Sequence, residues 1–167
     1  MNKYNLQRAA KDDFFEFDPQ SPLTPEQKTN FEGLYYFPVD EALRFEIEIE
    51  RFEDPQEIRM QTSTGHLREF VRYGQLHFTV DGQDLTLTIY ANQHGYFLPF
   101  VDAQAGKETY GAGRYLDPEV TEEGRLVLDF NLAYNPYCAY NDRDSCPLPP
   151  AENRLPVAIK AGEKNFK

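Results

Sequence analysis

The chain has no tryptophan, and only two cysteines, two methionines and three histidines among its 167 residues. Each scarcity narrows the chemistry. Two cysteines do not make a disulfide framework, and neither Cys138 nor Cys146 belongs to a Cys-x-x-Cys pair. His66, His77 and His94 show no ligand spacing such as His-x-x-x-His, so we expect no metal site and no cofactor. Basic residues are also short: 17 Lys and Arg stand against 28 Asp and Glu, a formal net charge of −11. A protein that tracks phosphates needs a basic surface, so nucleic acid is disfavoured as a partner, and anionic membrane surfaces equally. Long apolar runs are missing as well. The longest, Gly95 to Val101, contains Pro99 and falls far below the ~20 residues of a membrane span. The opening MNKYNLQRAAKDD has no apolar h-region, which leads us to expect a cytoplasmic protein with reduced thiols.

What is present is ordinary for a globular domain: 40% apolar residues over one domain's length. Leu6, Ala9, Ala10, Phe14 and Phe17 recur at helical spacing and predict a helix that ends at Asp18-Pro19. Thr24, Pro25 and Gln27 predict a second, short helix opened by a capping box. From Leu34 the period changes to two. Leu43, Phe45, Ile47 and Ile49 alternate with charges, Ile58 and Met60 continue the pattern, and Leu126, Leu128 and Phe130 repeat it. That phase puts Asp129 and Asn131 on the opposite face. Asp81-Gly82 predicts a type I′ hairpin pairing Val80 with Gln83, Phe78 with Leu85 and Leu76 with Leu87. Pro99 suggests an edge strand or a bulge in the strand around it. Residues 131–156 are proline-rich and irregular, and Val157 to Ile159 reads as a last strand. The pattern predicts a mainly β fold: an antiparallel barrel or barrel-like sandwich, with a helical arm over 1–32 and a β domain over 33–167. The proline-rich segment would wrap it or plug one end.

Several strings in the chain are long and unusual. They are FEGLYYFPV (31–39), TSTG (62–65), KETYGAGRYLD (107–117), DFNLAYNPYCAY (129–140) and CPLPPAENRLPV (146–157). Together they resemble a prokaryotic family designated domain of unknown function sixteen eighty-four, from the first helix to Lys164. The resemblance implies no catalytic role. It does mark Lys107, Glu108, Tyr110, Arg114, Tyr115, Asp117, Asp129, Asn131, Tyr134, Asn135, Cys138, Cys146 and Asn153 as lying in hallmark strings.

The polar residues of these strings are the candidates for chemistry. Lys107, Glu108, Tyr110, Arg114 and Asp117 form one group, in which a Lys beside a Tyr could assist proton transfer. The plainer reading is an ion-paired strand. Asp129, with Asn131 and Asn135, is either a pocket carboxylate or a structural one. Cys138 and Cys146 are either structural thiols or a disulfide. Aromatic residues make up 14% of the chain, enough to line a ligand cavity or simply to fill a core that has no tryptophan. No standard catalytic signature appears. We therefore expect a binding module for a small molecule, with the Lys/Tyr/Arg/Asp cluster at the barrel mouth. A structural or protein-interaction domain comes second, and an acid–base enzyme using the same cluster third.

Overall fold

The computed structural model describes residues 2–166. Two helices, α1 (Lys3–Phe17) and α2 (Pro25–Thr29), precede eight strands. These are β1 (Arg44–Ile47), β2 (Glu50–Gln61), β3 (Leu67–Val80), β4 (Gln83–Asn92), β5 (Gly95–Phe100), β6 (Arg114–Leu116), β7 (Glu119–Val120) and β8 (Leu126–Asp129). The fold is mainly β, as expected, but the barrel does not close. The strands form two open antiparallel sheets, β2-β3-β4-β5-β6 and β1-β8-β7. Closure is replaced by edge covering. The Tyr115 amide donates to the Tyr134 carbonyl at 2.8 Å, and the Tyr134 amide returns the bond at 3.0 Å. One residue of the irregular segment thus caps the β6 edge, where a barrel would need another strand. Leu126, Leu128 and Phe130 join Leu76, Phe78, Leu87, Ile89, Leu98 and Phe100 in one core, so the two sheets share a sandwich-like interior.

The hairpin forms as the sequence predicts. Asp81 and Gly82 take positive φ (51° and 77°), and the register pairs Val80 with Gln83, Phe78 with Leu85 and Leu76 with Leu87. Pro99 is different. It lies in β5, which sits between β4 and β6 and is not an edge. The β4–β5 register would set Pro99 opposite Thr88, yet proline has no N–H to give. The side chain of Asn153 fills that place. Its oxygen accepts the Thr88 amide, and its nitrogen donates to the Thr88 and Pro99 carbonyls, each at 2.8 Å. The expected strand at Val157 to Ile159 does not form either. That stretch is held by single bonds: Ala103 N to Val157 O at 2.9 Å, and Ile159 N to Asp102 Oδ2 at 2.7 Å.

Helix α1 buries a face that apolar periodicity does not pick out. Leu6 and Phe17 are 58% and 72% exposed. The inward face runs through Tyr4, Arg8, Lys11 and Phe15, at the proper helical offsets. Phe15 packs edge-on against Tyr140. Tyr4 and Lys11 instead bring polar tips to buried carboxylates, so the face is bound by hydrogen bonds as much as by burial.

Candidate functional site

A cleft of about 530 Å³ opens between α1 and the β1-β8-β7 sheet. Its size is that of a small-molecule site. Two buried carboxylates line it. Asp129, 2% exposed, accepts the Tyr4 hydroxyl at 2.5 Å, the Asn131 amide at 3.1 Å and Asn131 Nδ2 at 3.0 Å. Arg44 Nε stands 3.9 Å away. The Tyr4 phenol is pushed up to about 12 by burial and by its bond to this carboxylate. Glu163, also 2% exposed, accepts Lys11 Nζ and, at 2.5 Å, the Tyr140 hydroxyl. Asp129 caps the short turn Phe130–Leu132, and Asn131 reaches on to Asp40, accepting its amide and donating to its carbonyl, both at 2.9 Å.

The cleft's cations are unevenly matched. Lys11 is paired with Glu163, and Arg44 with Glu46. Arg8 is not. Its guanidinium stacks on the Tyr36 ring, 4.3 Å from the centroid, and its Nη2 is shielded from solvent with no hydrogen-bond partner. Burial holds its pKa below the ordinary guanidinium value, against the pull of Tyr36 and Glu163. A buried unpaired donor costs roughly 1–3 kcal/mol, more when charged. Such a group is uncommon in a native protein.

The expected residues do not converge on one point. Asp117, Asp129 and Asn131 line this cleft. Asp117 stands at its rim and accepts the Tyr134 hydroxyl at 2.6 Å. Lys107 is exposed in the loop before β6, and its carbonyl accepts Asn165 Nδ2. Glu108 in the same loop faces Lys160 and Lys164 at 3.7 and 3.6 Å. Tyr110 packs against the cluster of Phe15, Leu23 and Tyr140. Arg114 is sealed inside the protein, where its guanidinium donates to the carbonyls of Ile159, Ala161 and Glu163. Asn135 is buried and donates to the Lys164 carbonyl at 3.0 Å. Asn131 and Asp129 are buried because α1 covers the face that alternation assigns to water. The cluster at a barrel mouth is thus corrected: there is no closed barrel, and its members are dispersed. Sequence reasoning does not single out Arg8, Lys11 and Glu163, because a lone charge in a helix or a terminal segment carries no motif, and Tyr36 lies in the FEGLYYFPV string without being marked as a site residue.

Asp129→Asn tests the tie between α1 and the sheet. The variant keeps the shape but turns an acceptor-only group into one with an NH₂ facing donors. We expect a loss of about 2 kcal/mol in denaturant unfolding. An unchanged midpoint would mean that Asp129 is not held for stability.

Among the described residues, no three His, Cys, Asp or Glu side chains come together as a metal group, and no helix is long and apolar enough to cross a membrane. No curated protein matches the chain. A solution NMR structure of an uncharacterized protein from Haloarcula marismortui is similar. It is 38% identical with a TM-score of 0.72, over 96% of this chain and 91% of that one. The family model described as "Protein of unknown function (DUF1684)" matches residues 29–164, and the chain therefore belongs to the DUF1684 family.

Proposed function

We propose that the chain is a binding module whose α1 cleft takes a small organic anion, with Arg8 as its anchor. The observation that carries this reading is the Arg8 guanidinium: it lines the cleft, is fixed on Tyr36, and has a buried nitrogen without an acceptor. A carboxylate or phosphate oxygen supplies that acceptor as a charge-assisted bond. Lys3 stands on the same wall, in a protein otherwise strongly acidic. Asp129 and Glu163 do not oppose the anion as bare charges, because Glu163 is ion-paired with Lys11 and Arg44 Nε stands 3.9 Å from Asp129. We take α1 and the β portion as one folding unit, since α1 supplies a cleft wall and covers both carboxylates.

The test is thermal unfolding against a panel of small mono- and dicarboxylates and inorganic phosphate. A ligand at a hundred times its Kd is expected to add about 2.7 kcal/mol of stability. Arg8→Met keeps an apolar stem on Tyr36 and is expected to abolish that shift while leaving the ligand-free midpoint close to wild type. A shift that survives the substitution, or none across the panel, overturns the reading.

A structural or protein-interaction domain is the second reading. It draws on the internal pairing of the hallmark residues: Asp129, Asn131 and Asp117 all have protein partners. Native mass spectrometry of gently purified protein separates the two. A reproducible small adduct supports binding, and a bare chain supports the structural reading.

A further inference from the structure

A second cleft, of about 700 Å³, shares Tyr134 and Asp117 with the first. Phe70, Phe97 and Tyr115 line one side of it, and Tyr137 and the stretch from Asp144 to Pro147 line the other. That second wall contains Cys146, and Cys138 stands behind it, joined to the same wall through Ser63 and Asp144. Cys138 Sγ lies 3.2 Å from Ser63 Oγ and 2.9 Å from the Asp144 carbonyl. The same Ser63 hydroxyl accepts the Cys146 amide at 3.1 Å, and the Ser63 amide donates to the Cys146 carbonyl at 2.9 Å, so one serine holds the two cysteines side by side. Both are free thiols, with Cys138 half-buried and Cys146 buried.

We propose that Cys138 and Cys146 form a reversible dithiol–disulfide pair, oxidised by a low-molecular-weight disulfide such as oxidised glutathione. The proposal is independent of the anion site. Burial, with the neighbouring Cys138, pushes the Cys146 thiol up to about 12, so it is the poorer first nucleophile. Cys138 is the more accessible and reacts first. Its thiol gives its proton to water, and the sulfur attacks one sulfur of the oxidant and expels a glutathione thiolate. The product is a mixed disulfide at Cys138. Cys146 Sγ then loses its proton to solvent, attacks Cys138 Sγ and expels the second glutathione thiolate. The protein loses two hydrogens, and one oxidised glutathione becomes two reduced ones. The new bond closes the loop from Cys138 to Cys146. It thereby pins Asp144 and Ser145, which line the aromatic cleft, so the redox state sets how far that wall can move.

The test incubates the intact wild-type protein with excess oxidised glutathione under native conditions, quenches with acid and measures mass. We expect loss of the mass of two hydrogens and a peptide map joining Cys138 to Cys146. Cys146→Ala is expected to stop at a single glutathionyl adduct on Cys138. Wild-type protein that stops at that adduct, stays unmodified, or bridges only in urea overturns the proposal without needing any variant to fold. The bridged protein is expected to melt about 5 °C higher than the reduced form. An unchanged or lower midpoint also overturns it, because the bond would then form against the native geometry.

Discussion

Replacing Arg114 by Met is expected to cost about 4 kcal/mol of folding stability and to lower the melting temperature by about 10 °C. Arg114 is 1% exposed, and its guanidinium binds the carbonyls of Ile159, Ala161 and Glu163. Asp102 lies 3.7 Å from it, equally out of water. Burial brings the guanidinium down to about 10, and Asp102 and Glu163 work against that fall, so it is charged at neutral pH. Methionine fills most of the volume but leaves three carbonyls without their donor and Asp102 without its counter-charge. Arg114→Lys is expected to recover only part of the loss. An ammonium cannot span three carbonyls as a planar fork does. Denaturant unfolding measures both. A midpoint within about 1 kcal/mol of wild type would show that the carbonyls find other donors.

Asn153→Ala is expected to cost about 3 kcal/mol. No other described side chain bonds to both neighbours of a gap in the five-stranded sheet. Thr88 N, Thr88 O and Pro99 O all lose their partner together, in a place water does not reach. The loss also has a local signature. The Thr88 amide, protected in wild type, is expected to exchange its hydrogen by local opening in the variant. Slow exchange there, at unchanged stability, would mean that β4 and β5 pair without the inserted amide. Arg114 and Asn153 anchor different parts of the C-terminal stretch, so the two losses are expected to add only where the anchors do not share a backbone shift.

The two anchors also show which parts of the fold can be read from sequence. The β3–β4 hairpin is legible to the residue, because turn chemistry and alternation are both local. Pro99 is legible as an anomaly but not as its solution, since Asn153 lies 54 residues away. The buried face of α1 is the instructive miss. Apolar spacing favours Leu6 and Phe17, while burial falls on Tyr4 and Phe15. The deciding partners are carboxylates at the other end of the chain: Lys11 meets Glu163 across 152 residues, and Tyr4 meets Asp129 across 125. Long-range polar pairing leaves no period in the sequence. Asp129 and Asn131 were visible as unusual residues in a strand, but only the covering helix turns their face from water into a cleft.

Helix α1 lies before residue 29, where the family match begins, whereas Asp129 and Glu163 lie within it. The hydrogen bonds from Tyr4 and Lys11 to Asp129 and Glu163 therefore cross the edge of the matched region. A fragment beginning at residue 29 would strip both buried carboxylates of these partners and open them to water, so it is expected to unfold more readily than the whole chain.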